Sequence, residues 1–370
     1  MADQHHIKVR TLLRKYLEGN CTEEEKAWVE DWYLSIDNSV NELTSKEVKE
    51  DLYALQNRLL TIPKQKTAFK TYIRAVAAIV FVVLIAGLIL WSKKISEEQL
   101  LNTPVVAVEQ DFMPGTNRAT LSFDDQDEIE LNSHQEGLIN DGNAIVYADG
   151  TPLKEVEKVQ MATLRTPVAG QYQITLPDGT KAWLNAFSSI RYPTVFTGAE
   201  RQIETSGEVY LEVVHDAQKP FIVLSGEQRI EVLGTSFNID AYGDRGQTLT
   251  TLVEGTIRLQ HNKFGNQVEL HTGQQAVVRD NKAIEVKRVD TEEISSWKDG
   301  LYIVNDEPLE LYARKIERWY DVEVNMKPHG KKRLSAIIPR DAKLSEVLQA
   351  IELKTGVKFI IEGRRVTAKK

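Results

Sequence analysis

The stretch Ala75–Trp91 constrains this chain more than any other. It reads AVAAIVFVVLIAGLILW, seventeen residues without a charge, an amide or a proline. As a helix it extends ~26 Å, close to the shortest length that crosses the hydrocarbon core of a bilayer. Tyr72 and Trp91 suit the two interfaces, and Arg74 with Lys93 and Lys94 can snorkel outward. A buried helix of a soluble protein rarely runs this far without a polar residue. A signal peptide does not fit either, because the run begins more than seventy residues into the chain and no small-x-small cleavage pattern follows it. The expectation is a single-pass membrane protein. Lys64, Lys66, Lys70 and Arg74 precede the span, against Lys93 and Lys94 after it. The cationic side stays in the cytoplasm, which puts the N-terminus inside and the longer C-terminal part outside.

Charge divides along the same line. The first 74 residues carry twelve basic and twelve acidic side chains, so the whole net charge of −8 lies beyond the span. An acidic outer part argues against direct nucleic-acid binding. The single cysteine, Cys21, falls on the inner side. The outer part must therefore fold on an ordinary core without disulfides.

Residues 1–74 carry three amphipathic helical patterns. The first places Leu12, Leu13, Tyr16 and Leu17 on one side. The second opens with Thr22 and Glu25 in capping-box spacing and carries Trp28 and Trp32 one turn apart. The third opens with Thr44 and Glu47 and repeats Val48, Leu52, Leu55 and Leu59 along a narrow seam. So small a segment buries little surface by itself. It reads either as a small self-contained bundle or as a docking module completed by a partner.

Beyond the span the period falls to two. Tyr172, Ile174 and Leu176 alternate before Pro177-Asp178-Gly179, Val209, Leu211 and Val213 follow Gly207, and Phe237 alternates with Ile239. Short strands with frequent turn signals indicate an all-β domain over residues 101–290. A weak internal repeat joins Pro114–Asn132 to Val168–Asn185, each a strand, an acidic turn and a strand ending Leu-Asn. It implies stacked or sandwiched hairpins. Asp124, Asp125 and Asp127 lack the glycine and the distant glutamate of a calcium loop and read as a hairpin turn. From residue 296 the pattern turns to helix and strand in alternation. Leu309, Tyr312, Ile316 and Trp319 form one buried helical face, and Leu344, Val347, Leu348 and Ile351 another. That order suggests a small α+β sandwich.

Four blocks carry a family resemblance: LPDGTKAWLNAFSSIRYP (Leu176–Pro193), GEVYLEVVHDAQKPFIV (Gly207–Val223), VLGTSFNIDAY (Val232–Tyr242) and LVEGTIRL (Leu252–Leu259). Together, beyond a membrane span, they resemble the FecR family of single-pass anti-sigma regulators, and LLRKYLEGNCTEEEKAWVEDW (Leu12–Trp32) is similar to the cytoplasmic part of those proteins. PGTNRATL ahead of the main block is similar to the Bacteroidetes branch. The tail resembles the short signalling domain of secretins and TonB-dependent receptors. The resemblance implies an inner-membrane protein whose residues 1–74 bind an extracytoplasmic-function (ECF) sigma factor, with Leu12, Leu13, Tyr16, Trp28 and Trp32 as apolar anchors. It also implies a periplasmic part that takes a signal from an outer-membrane TonB-dependent receptor. Some relatives cut themselves at a Gly-Thr bond. Gly234-Thr235 is the pair inside a family-like block, although a strand glycine ordinarily marks a bulge or turn.

The seven histidines show no metal-ligand spacing, and no phosphate-binding, Gly-x-Ser-x-Gly or dinucleotide motif is present. No enzyme, cofactor or metal is expected. The expected fold class is a multi-domain membrane protein: a small all-α N-terminal domain (1–74), one transmembrane helix (75–91), an all-β domain of stacked or sandwiched hairpins (101–290) and a small α+β domain (296–370). A membrane-tethered periplasmic module that binds glycan or cell-wall material is the alternative function.

Overall fold

The computed structural model describes Thr22 and residues 111–124, 128–244, 246–280 and 282–369. The expected fold class needs correction. The described chain is mostly β, 47% strand and 13% helical. Among the described residues no helix is long and apolar enough to cross a membrane. The longest of the described helices have 12 residues, which is ~18 Å against a hydrocarbon core of ~30 Å. The all-α domain at 1–74 and the span at 75–91 lie outside the described residues.

Nineteen strands between Thr116 and Arg288 are joined by hydrogen bonds into one network. The long strand Arg201–Glu212 belongs to both of its layers. Its first part pairs with Phe221–Ser225 and Ser189–Pro193. From Gly207 onward it pairs instead with Ser236–Ala241 and Lys181–Leu184. Gly207 is the crossing point. Its φ is +73°, and a Cβ there would lie 2.4 Å from Ser188 Oγ and 2.6 Å from the Phe187 carbonyl oxygen. Only glycine fits such a backbone.

The two layers pack face to face on one core. Leu121, Leu164, Ile190, Phe221 and Ile230 enter it from the first layer, and Ile174, Leu184, Val209, Phe237 and Leu252 from the second. The period of two places these residues inward. Both members of the internal repeat are hairpins, Thr120–Phe123 with Ile129–Glu130 and Gly170–Thr175 with Lys181–Leu184. They sit in opposite layers and contribute to the same core.

The tail begins with a short helix α1 (Thr291–Ser295), whose first-turn Glu292 amide donates to Asp290 Oδ1 at 2.9 Å. A 3₁₀ turn, Ser296–Asp299, leads to the strand Leu301–Pro308, which pairs antiparallel with Arg333–Pro339. Helix α2 (Leu309–Tyr320) follows Pro308, and helix α3 (Leu344–Thr355) ends at Gly356 with φ +70°. Arg365–Ala368 lies between Glu323–Asn325 and Phe359–Glu362 in a second small sheet. The helical faces expected from the sequence are the buried ones. The strand Leu301–Pro308 is an addition. The sequence reading ended the β pattern at Trp297 and read from Asp306 into a helix, whereas Asn305, Asp306 and Glu307 belong to this strand. They form a bulge, with Asp306 at φ +51°.

Candidate functional site

Strand alternation sends every second residue of the second layer outward. The register lines up Trp183, Tyr210, Asn238, Thr251 and Gln275 in one row across five strands. On an ordinary sandwich this outer row would be wet. Here the last four are buried, at 1–3% exposure. Tyr210 and Ala186 share a second apolar core with Trp297, Tyr312, Trp319 and Leu344 of the tail. The tail is thus seated on a sheet face that is itself polar, and the seam must satisfy its polar groups internally.

Arg340 does most of that. It leaves the end of the strand Arg333–Pro339, and the residue is 3% exposed. Nη1 donates to the Trp297 carbonyl at 2.8 Å, and Nη2 donates to Asn185 Oδ1 at 2.7 Å. The guanidinium lies 3.7 Å from the Trp319 ring centre and 5.0 Å from that of Tyr302. Trp319 Nε1 in turn donates to the Arg340 carbonyl at 2.7 Å. Glu208 holds the acceptors in place. Its carboxylate accepts from Asn185 Nδ2 at 2.7 Å and from Asn238 Nδ2 at 3.1 Å, while Asn238 Oδ1 accepts from Trp297 Nε1 at 3.1 Å. The two amides relay between a carboxylate in the sandwich and a guanidinium and an indole in the tail. Arg340 Nε has no partner among the described residues.

The seam also holds unbalanced charge. Asp240 stands directly opposite Glu208 in the ladder. Burial, and next the facing Glu208 carboxylate, push the Asp240 pKa up from 3.8 to about 7. A few residues on, Arg318 of α2 lies 3.8 Å from the Tyr242 ring centre and donates to Asp244 Oδ2 at 2.8 Å. The Tyr242 hydroxyl donates to the Ala186 carbonyl.

The seam consists of hydrogen bonds and ring contacts between the sandwich and the tail. Among the described residues no group of three or more His, Cys, Asp or Glu side chains is placed to hold a metal ion. What the seam does is hold the tail on the sandwich.

Residues 162–258 match the family model described as FecR protein, and residues 301–368 match that described as FecR, C-terminal. The first match holds the strands that carry Asn185, Glu208 and Asn238, and the second holds Arg340, so the seam joins the two. These two segments carry the two FecR-family domains. Two crystal structures of a candidate anti-sigma factor from Parabacteroides distasonis ATCC 8503 are similar to it, each at 29% identity. One, at 1.65 Å resolution, aligns with a TM-score of 0.51 over 56% of this chain and 98% of that one. The other, at 2.50 Å, aligns with 0.52 over 57% and 99%. No curated protein matches the chain.

The sequence-expected site residues fare differently. Leu12, Leu13, Tyr16, Trp28 and Trp32 lie outside the described residues. Gly234 and Thr235 sit just before the strand Ser236–Ala241, where the pairing with Thr248–Glu254 shifts register between Ser236 and Phe237. Thr235 is buried, and its hydroxyl donates to the Thr256 carbonyl at 3.0 Å. A Cβ on Gly234 would lie 2.7 Å from His215 Nδ1. His215 is a neighbour that the sequence did not place there.

The sequence reading missed the seam. Asn185 closes the Leu-Asn of the repeat, and Trp297 marked only an end of the β pattern. Nothing local distinguishes Arg340, which follows Pro339 in an ordinary-looking polar stretch. A buried arginine is recognised by its partners, and these lie up to 155 residues away in the chain.

Proposed function

We propose that this chain is an anti-sigma regulator that acts by binding, with the docked tail as its sensing end. The observation that carries the reading is the coincidence of the two FecR-family matches with the two sides of the buried seam. The P. distasonis structures, described as those of a candidate anti-sigma factor, support it over more than half of the chain. In this reading residues 1–74 capture an ECF sigma factor through Leu12, Leu13, Tyr16, Trp28 and Trp32. Residues 111–369 lie in the periplasm of a protein held at the inner membrane. They receive the signal of an outer-membrane TonB-dependent receptor, and strand addition at the open edge of Arg333–Pro339 or of a neighbouring strand is a fitting contact mode. The acidic balance and lack of cysteine beyond residue 74 suit that compartment.

The test is transcription from a sigma-dependent promoter in cells carrying the full chain or a chain ending at residue 295. The tailless chain should no longer respond to receptor stimulation. Normal induction by it would remove the tail from the signal path.

The proximity of His215 to Gly234 favours a second element of this reading, cleavage at Gly234-Thr235. The Thr235 hydroxyl would give up its proton and add to the Gly234 carbonyl. The Gly234–Thr235 C–N bond would break as the Thr235 nitrogen takes a proton and leaves as an amine, and water would then hydrolyse the ester to a Gly234 carboxylate and a free Thr235 hydroxyl. His215, packed against Gly234, would be the base in reach of this turn. In the described state that hydroxyl is committed to Thr256, so the step requires a local shift. Full chain kept for days should yield two fragments on a denaturing gel, and Thr235→Ala should yield none. A single full-length band from both would rule the cleavage out.

A further inference from the structure

The chain enters its described part along the tail. Residues Asp111–Gly115 run over α3 and α2 before Thr116 donates its amide to the Ala169 carbonyl at 3.1 Å and the sandwich begins. Helix α3 closes part of its own first turn, since the Lys343 carbonyl accepts from the Glu346 and Val347 amides at 3.1 Å and Glu346 Oε2 accepts from the Lys343 amide at 2.9 Å. The Lys343 side chain, however, offers no acceptor to the Leu344 and Ser345 amides. The missing acceptors come from 230 residues upstream. The Leu344 amide donates to the Phe112 carbonyl at 3.0 Å. The Ser345 amide donates to Asp111 Oδ1 at 3.2 Å, and the Ser345 hydroxyl donates to Asp111 Oδ2 at 2.7 Å. Gly115 lies so close to the Trp319 ring that a Cβ would sit 2.6 Å from it. Arg364 faces the Phe112 ring at 5.6 Å.

We propose that Asp111–Gly115 is a strap clamped by the tail, released when the tail leaves the sandwich, and so the output end of this unit. The tail takes part in two contacts that share one body. One is the seam around Arg340, and the other is the strap beneath α3 and Trp319. Trp319 belongs to both, through its Nε1 donation to the Arg340 carbonyl and its ring against Gly115. A partner that lifts the tail breaks both. The strap is the first segment of the described unit in chain order, so its release frees the end at which the chain joins residue 110. This inference rests on the regulatory reading above only for what the release is used for. The clamp itself stands apart from it.

The strap carries a convenient probe. Chymotrypsin cuts after phenylalanine, and Met113 beyond Phe112 is already 65% exposed. Full-length protein is digested briefly, and the rate of cutting between Phe112 and Met113 is read by mass spectrometry. Asp111→Ala and Ser345→Ala should each raise it roughly fivefold to tenfold, the scale of a lost helix cap. The double variant should rise no further than Asp111→Ala, because Ser345→Ala removes only one of the two bonds that Asp111 accepts from Ser345. Arg340→Met and the milder Asp244→Ala touch the tail at the seam and make no contact with the strap. Both should raise the same rate, while cutting after the buried Phe221 and Phe237 stays slow in Asp244→Ala. Unchanged strap cutting in Asp111→Ala and Ser345→Ala would overturn the clamp. Unchanged cutting in both seam variants would overturn the coupling. If the strap loosens as stated and sigma-dependent transcription does not change, the clamp holds but the strap is not the output end, and the anti-sigma reading stands or falls on sigma-factor recovery.

Discussion

Arg340 shows how much one side chain can decide. Its guanidinium meets two acceptors and an indole face in a seam closed to water. Arg340→Met leaves Asn185 Oδ1 and the Trp297 carbonyl short of a donor and should cost about 3 kcal/mol in denaturant unfolding. Arg340→Lys should recover less than half, since an ammonium neither lies flat on Trp319 nor spans both acceptors. Equal stability of the Lys variant and the parent would contradict the seam as described. Asp240 sets the pH response. Its folded pKa is raised from 3.8 to about 7 by burial and by Glu208, so the folded state binds the proton more tightly than the unfolded chain. Its contribution is fully present below 3.8 and is lost as pH rises through about 7. Asp240→Asn should flatten that part of the stability profile and leave the protein more stable than the parent on the alkaline side. A profile unchanged by the substitution would assign the pH response elsewhere.

Among the elements, the strand Arg201–Glu212 carries the architecture because it serves two layers, and Gly207 makes the change of layer possible. Gly207→Ala must hold an alanine at φ +73° with its Cβ against the Phe187 carbonyl. A loss of about 2 kcal/mol or more, measured by thermal unfolding, is expected from strain and overlap together. The elements that were legible in the sequence are those whose partners are local. Tyr172 and Ile174 alternate because one sheet face is dry, and Val347, Leu348 and Ile351 recur because one helix face is. The strand Leu301–Pro308 was not legible, since its bulge at Asp306 breaks the period. The outer row Tyr210, Asn238, Thr251 and Gln275 reads as a solvated face. It is buried by a tail whose position no local pattern encodes.

For the molecule as a whole, the described unit is a sandwich and a tail bound through buried polar groups and a borrowed helix cap. Such a joint is specific in register and costly to leave half made, which suits a contact that is either fully docked or fully released. The membrane fold class inferred from the apolar run was wrong for the described chain, which is mostly β and holds no membrane-length helix. The family, in contrast, was legible from four short blocks, which fall almost entirely within the match at residues 162–258. The central claim is that this chain controls a sigma factor. The most direct measurement is recovery of the tagged full chain from its own cells, with the bound proteins identified by mass spectrometry, beside a chain carrying Trp28→Ala and Trp32→Ala. An ECF sigma factor should come with the unmodified chain and be largely lost from the variant. Recovery of the chain without any sigma factor, or equal recovery from both, would contradict the account.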